Sequence, residues 1–243
     1  MGKELLGSLE LNRIYQMDCT EGMKLLPNES VDLVLTDPPY NVSQKSNFHT
    51  MGRKGVDFGE WDKEFDLTSW IPLAVSKLKK GGSIIIFNAW RNLGTIGDEL
   101  EKQGCTIKGM SQWTKTNPMP RNRDRLYVTR YECAVWAVKG KGWTFNRQRD
   151  NYEDGIFSYP VVNHKKRIHP TQKPVELLEE IIKIHSNEND IILDCFMGSA
   201  STAVASTLQN RKWVGFELER EYYELANKRL EQIQLEDDLE MYK

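Results

Sequence analysis

Compact apolar runs alternate with helix-spaced ones along most of this chain. Val31 to Thr36 (VDLVLT) is a short apolar run that stops at Asp37-Pro38-Pro39. Its length, valine content and proline stop predict a buried strand. Leu67, Trp70, Ile71, Ala74 and Leu78 recur at helical spacing, so a helix is expected over 67–78, stopped by Lys79-Lys80-Gly81-Gly82. Ser83 to Phe87 (SIIIF) reads as a second buried strand, and 96–103 as a helix closed by Gly104. Residues 105–139 alternate like strands around a basic, proline-containing segment, 117–130. The stretch 140–168 is irregular and rich in Asn, Arg and Tyr. Beyond it come a helix with Pro174 near its start, a strand over 190–194 (DIILD), a helix over 199–209, a strand over 212–217 (KWVGFE) and an amphipathic helix over 219–231.

Strands alternating with helices predict an α/β fold, a parallel sheet with helices on both faces. Residues 41–66 break the pattern. They are polar, carry Gly52, Gly55 and Gly59, and read as a long mobile loop of the kind that is usually functional. No internal repeat or low-complexity tract interrupts the chain, and the irregular middle, about 117–168, reads as an elaboration on the sheet.

Composition narrows the class without naming it. The 243 residues are 39% hydrophobic and 28% charged, enough for one substantial core. A formal net charge of −2 does not announce a nucleic-acid binder, although a local basic face would suffice. Cys19, Cys105, Cys133 and Cys195 are far apart with no CxxC pair, which argues against a zinc site or disulfide framework and fits a reducing cytoplasm. Lys3, Glu4 and Glu10 leave no signal-peptide core to expect at the start, and no apolar run approaches the ~18 residues of a membrane span.

Two constellations carry chemistry. Asp37-Pro38-Pro39-Tyr40 closes a predicted strand, and ligands in open α/β sheets bind outside the carboxyl ends of strands. The prolines fix the backbone, so the Asp37 carboxylate and the Pro38 carbonyl become rigid acceptors suited to an NH2 group. Tyr40 adds a π-face on which a base can stack. An exocyclic base amine is a poor nucleophile because its lone pair is delocalised into the ring. Accepting both of its hydrogens favours a pyramidal nitrogen that can attack an electrophilic methyl group, so orientation and preorganisation do most of the work. Asp37 either takes the released proton or only holds the amine.

The second constellation runs from Asp194 to Thr202 (DCFMGSAST): a strand end, a turn of small residues and a helix start with free N–H groups. Glu217 ends the next strand nineteen residues after Gly198, the spacing at which nucleotide-binding folds set an acid on ribose hydroxyls. Without a full G-x-G-x-x-G, a dinucleotide is not the expected ligand. No acids cluster at metal-ligand spacing, so no metal is expected.

Together these motifs resemble the β group of amino-methyltransferases, the bacterial and phage DNA N6-adenine and N4-cytosine enzymes. The resemblance covers most of the chain, catalytic motif first and cofactor motif late. Residues 28–41 (NESVDLVLTDPPYN) look like the catalytic motif and its lead-in strand, and Asp194 to Thr202 like the D-x-F-x-G-S-G-T-T cofactor loop. HPTQKP, 169–174, looks like the motif that helps enclose the methionine end. Trp113 to Lys115 and Arg130 to Trp136 (RYECAVW) resemble later strands of the family sheet.

The resemblance implies a Rossmann-like methyltransferase fold, its sheet mostly parallel with helices on both faces and its motif order circularly permuted, as a single catalytic domain over 1–243 with a target-recognition segment at about 140–165. It implies S-adenosyl-L-methionine as cofactor and a base flipped from duplex DNA as substrate. Catalysis falls to Asp37, Pro38, Pro39 and Tyr40. Cofactor contacts fall to Asp18 and Cys19 at the adenine, Glu217 at the ribose, Thr171 and Lys173 near the methionine, and Asp37, Asp194, Phe196, Gly198, Ser199, Ala200 and Ser201 along the pocket. Ala200 and Ser201 depart from the usual Gly-Thr. Asp37, where N4-cytosine enzymes more often carry Ser, points to adenine.

A basic run by itself is usually solvated surface. Beside these motifs, Arg121, Arg123 and Arg125, grouped with Lys115 and Arg130, and the run Lys165, Lys166 and Arg167 are read as DNA phosphate contacts. Trp61, Trp70, Trp90 and Trp213 are read as core or loop anchors, and Phe48, Phe58 and Trp61 as candidates to close on DNA. Three rivals stand: N4-cytosine methylation, methylation of RNA or a protein amide, and an inactive cofactor- and DNA-binding module. A homodimer and a paired restriction enzyme stay open.

Overall fold

The computed structural model describes residues 3–41, 65–120, 122–163, 165, 167–169 and 171–240, with side chains as far as 233. Its centre is an eight-stranded sheet in the order β3 (Arg13–Gln16), β10 (Lys212–Glu217), β9 (Ile191–Asp194), β4 (Val31–Thr36), β5 (Leu78–Asn88), β7 (Tyr131–Lys139), β6 (Cys105–Lys115), β8 (Ile156–Tyr159). The five strands from β3 to β5 are mutually parallel; β7 runs against both neighbours, and β8 lies parallel to β6. A small hairpin, β1 (Leu5–Leu6) and β2 (Leu9–Glu10), precedes the sheet. No helix among the described residues is long and apolar enough to cross a membrane.

The near-continuous apolar run of β4 follows from burial on both faces. Val34 points to one side of the sheet and Leu33 and Leu35 to the other, as do Ile84 and Ile86 against Ile85 and Phe87 in β5. On the Val34 side pack α1 (Cys19–Lys24), α2 (Ile71–Lys77) and α3 (Leu93–Lys102), through Met23, Ile71, Ala74, Ile96 and Leu100. On the Leu33 side pack α4 (Val175–His185), α5 (Ser201–Leu208) and α6 (Arg220–Glu240), through Leu177, Ile181, Ala203 and Ala226. Each of the larger of these side chains (Met, Ile and Leu), at or near zero exposure, contributes roughly 1.5–3 kcal/mol relative to solvent.

The adjacency of β9 and β4 positions the site. The sequence separates the two motifs by about 160 residues, yet the sheet sets their carboxyl ends side by side. Thr36 Oγ1 donates to Asp194 Oδ1 at 2.7 Å across that join.

Several expected boundaries move. Asp66 accepts the Thr68 and Ser69 amides, so 67–70 is a turn and α2 begins only at Ile71. The Lys79-Lys80-Gly81-Gly82 helix stop lies inside β5, as an irregularity between the pairs Val31–Leu78 and Leu33–Ser83, with Gly81 at φ +84° and Lys79 bonded to Asp32 at 2.8 Å. The irregular stretch 140–168 contains β8, an edge strand in which Phe157 alone is buried. The long loop falls, for 42–64, outside the described residues, together with Phe48, Phe58 and Trp61.

Candidate active site

β4 delivers Asp37 to the carboxyl edge of the sheet. Tyr40 Oη donates to Asp37 Oδ1 at 2.6 Å, so the tyrosine orients the carboxylate besides offering its ring. Asn92 holds the Tyr40 carbonyl at 3.0 Å and bonds buried Asn88 at the end of β5. Asn41, at φ +55°, exchanges two hydrogen bonds with the Phe65 backbone, 2.7 and 2.9 Å. Both ends of the segment 42–64 are thereby tied together beside the catalytic motif.

A charged network lies behind Asp37. Lys173, 5% exposed, donates to Asp37 Oδ2 in a very short contact, and its ammonium sits 3.0 Å from Glu132 Oε2 and 3.2 Å from Tyr40 Oη. Lys115 holds the other Glu132 oxygen at 2.6 Å. Two carboxylates and two ammonium groups thus balance. Burial alone would raise the Glu132 carboxyl, but Lys173 and Lys115 prevail and hold it at about 2. For Asp37, burial wins over Lys173, and the carboxyl lies above its ordinary range. Burial opposes the charge on Lys173, but Asp37 and Glu132 outweigh it and push the ammonium upward.

Glu132 was not among the expected site residues: a single acid in a strand carries no local signal. Lys115, grouped in the sequence with the phosphate contacts, instead spends its charge inside this network.

The cofactor-type loop wraps the end of β9. Asp194 accepts the Phe196 amide at 3.0 Å as well as the Thr36 hydroxyl, and burial raises its carboxyl to about 6. Gly198, at φ +52°, donates its amide to Glu217 Oε2 at 2.7 Å, while Glu217 Oε1 takes the Glu219 amide at 2.9 Å. Ala200 also adopts a left-handed conformation, φ 60° and ψ 25°, which costs an L-residue about 1 kcal/mol or more. Ser201 Oγ donates to the Lys173 carbonyl at 2.9 Å, and Arg229 donates to the Ser199 carbonyl at 2.8 Å. The Phe196 ring meets Phe65 and Trp70 edge-on at 5.4 and 5.1 Å. Asp37, Phe87, Thr171, Lys173, Asp194 and Gly198 line one cleft.

His169 meets Tyr222 edge-on at 4.2 Å, and its ring nitrogen lies 3.1 Å from the Thr171 hydroxyl. Asp18, Cys19, Ala200 and Glu217 do not line that cleft. The Asp18 carboxylate caps α1 by accepting the Thr20 and Glu21 amides, and Cys19 is buried with its thiol raised to about 12.

Residues 31–228 match the N6/N4 methyltransferase family model of DNA methylases. The chain belongs to that family. The type II methyltransferase M.HinfI of Haemophilus influenzae is 32% identical over 92% of this chain and 69% of its own length. The solved M1.HpyAVI–SAM complex is 38% identical, with a TM-score of 0.72 over 89% of this chain and 98% of that one. The cytosine-N4-specific PvuII DNA methyltransferase shares the fold at 18% identity, with a TM-score of 0.69 over 88% of this chain and 84% of that one.

In this DNA methylase, Arg123, Arg125 and Lys165 are exposed and Arg167 is half-buried, while Arg121 and Lys166 lie outside the described residues. Arg123 and Arg125 stand on the connection between β6 and β7, whose base is the Lys115–Glu132 ion pair of the charged network. Trp70 and Trp213 are core residues, as expected, but Trp90 is 67% exposed with Arg91 over its ring.

Proposed function

We propose that this methylase transfers the methyl group of S-adenosyl-L-methionine to the N6 amino group of adenine flipped out of duplex DNA. The observation that carries the reading is the meeting of Asp37 and Asp194 at adjoining strand ends, one on the acceptor motif and the other on the cofactor loop.

The donor set suits the cofactor. Each Glu217 oxygen accepts one backbone amide and keeps a lone pair for a ribose hydroxyl. The cleft carries half-buried Asp37 and buried Asp194, complementary to a sulfonium and an amino group, and the braced Phe196 ring gives it an apolar wall. Asp194, Phe196, Gly198, Ser199, Ala200, Ser201 and Glu217 would hold the group, with Thr171 and Lys173 toward the methionine end. When bound, it supplies an electrophilic methyl carbon. Asp37 and the Pro38 carbonyl then accept the two amine hydrogens and aim the nitrogen lone pair, Tyr40 stacks on the base, and Asp37 takes the proton that the methylated nitrogen releases. Exposed Arg123, Arg125 and Lys165, with Arg167, are assigned to DNA phosphates, and parts of 140–165 to base contacts.

Support for adenine rests on Asp37. The experiment is to incubate the protein with unmethylated plasmid DNA and S-adenosylmethionine, digest to nucleosides and weigh them by mass spectrometry. Wild type should yield N6-methyladenine. Asp37→Ala should lose at least about 100-fold in rate and keep cofactor binding. N4-methylcytosine would reverse the base assignment, and no methylated nucleoside despite cofactor binding would overturn the reading.

A further inference from the structure

We propose that Lys173 is a stand-in for the target amine, its ammonium occupying on Asp37 Oδ2 the place the amino group must take, and that Glu132 is the carboxylate to which it withdraws when the base enters. The proposal rests on the transferase reading above and makes Lys173 and Glu132 positioning residues for Asp37.

The geometry supports each half. Asp37 Oδ1 is taken by the Tyr40 hydroxyl and Oδ2 by Lys173, so an incoming amine meets an acceptor already engaged by a cation. A charge-assisted bond of that kind draws electron density from the carboxylate and makes it a weaker acceptor for the amine and for its proton. Yet an empty site cannot simply dispense with the lysine. Asp37 is half-buried near Glu132 and Asp194, and without a cation beside it partial desolvation and those two acids would push the carboxyl toward its neutral form. A resident ammonium therefore keeps Asp37 ionised until the base arrives.

Withdrawal is short and never leaves a bare charge. The ammonium is already 3.0 Å from Glu132 Oε2, and Lys115 fixes the far oxygen of the same carboxylate at 2.6 Å. The Phe87 and Tyr40 rings flank Lys173 Nζ at 5.2 and 5.4 Å, within cation–π range. Ser201 holds the Lys173 carbonyl, so the side chain can move while its backbone stays on the cofactor loop. Removing Glu132 while leaving Lys173 would trap the ammonium on Asp37, because a buried ion does not abandon its last partner.

The test compares wild type, Glu132→Gln, Lys173→Met and the double variant on unmethylated plasmid DNA, with cofactor affinity measured by calorimetry. Glu132→Gln should bind S-adenosylmethionine within about twofold of wild type and methylate at least tenfold more slowly at saturating DNA. The double variant, freed of the trapped ammonium, should be at least fivefold faster than Glu132→Gln at pH 8.5. A merely structural role predicts the reverse order. Lys173→Met alone should move the acid limb of the kcat profile upward by about one pH unit. The groups facing Lys173 are Asp37, Glu132, Tyr40 and His169, with Lys115 behind Glu132 and Asp194 beyond Asp37. Glu132→Gln at the wild-type rate, or a folded double variant no faster than Glu132→Gln, overturns the proposal. If the double variant fails to bind cofactor, an unmoved acid limb in Lys173→Met overturns it instead. A wild type that incorporates no methyl group sinks the transferase reading, and this proposal with it.

Discussion

Asp194 is 3% exposed, and burial lifts its carboxyl from 3.8 to about 6. A carboxyl raised on folding favours the folded state fully below its unfolded value and loses that contribution as pH rises through 6. At neutral pH the ionised group therefore costs the fold on the order of 3 kcal/mol. Asp194→Asn should stabilise the protein at pH 8 by about 1–3 kcal/mol, the lower figure if the new NH2 finds no acceptor. A molecule of this size should gain several degrees in Tm, and the gain should disappear by pH 4. Cofactor affinity should fall at least about tenfold, since the ionised acid is what the cationic ligand meets. Scanning calorimetry at the two pH values with a cofactor titration checks this, and an equal Tm gain at pH 4 would refute the linkage. Asp194 was legible because its motif is contiguous, as was Asp37. Glu132 and Lys115 were not, because their meaning lies in a four-residue network whose members come from four separate segments.

At the scale of elements, the close seat of α1 on β10 is set by one glycine. A Cβ built on Gly22 would lie 2.2 Å from the Phe216 ring, and Phe216 is fully buried in the core. The ring has nowhere to withdraw, so Gly22→Ala must lift the helix. Overpacking of this kind costs typically 1–3 kcal/mol, or about 5 °C in Tm. The shift also carries Asp18, the α1 cap, away from the end of β10, where the Met17 amide bonds the Glu217 carbonyl at 3.1 Å. Thermal melting and a cofactor titration should show both losses, and an unchanged Tm would mean that the helix seats differently. Neither α1 nor β3 was read from the sequence, for a physical reason. α1 spans only six residues, and in β3 only Ile14 is buried, so neither shows a period. The buried strands β4, β9 and β10 were legible because core contacts on both faces demand apolar runs. β8, an edge strand with one buried residue, escaped for the same reason as β3.

For the molecule as a whole, the parallel sheet with helices on both faces was readable from alternation, whereas the antiparallel β7 and the strand order were not. Periodicity reports burial and says nothing of direction. Whole-molecule stability has its own titrating group in His185, at the end of α4. Its ring packs on Trp136 at 4.6 Å and Phe145 at 5.6 Å, and its Nδ1 is buried with no hydrogen-bond partner among the described residues. Asn146 clamps the same corner by donating to the Ser186 and Lys183 carbonyls at 2.9 and 3.1 Å. Burial lowers the imidazole to about 4. A histidine lowered on folding contributes stability that is complete above its unfolded value near 6.5 and is lost as pH falls toward 4. At pH 5 the loss is about 2 kcal/mol. His169, also held at about 4, pulls in the same direction, and Asp194 in the opposite one, so the raw pH profile mixes all three. A difference measurement separates them. His185→Phe fills nearly the same space, removes the unpartnered nitrogen and leaves the other two groups unchanged. Urea midpoints should be similar for the two proteins at pH 7.5, or slightly higher for the variant. At pH 5 the variant should be more stable by about 2 kcal/mol. Parallel pH dependence in the two proteins would mean that His185 is not the group whose protonation opens the fold.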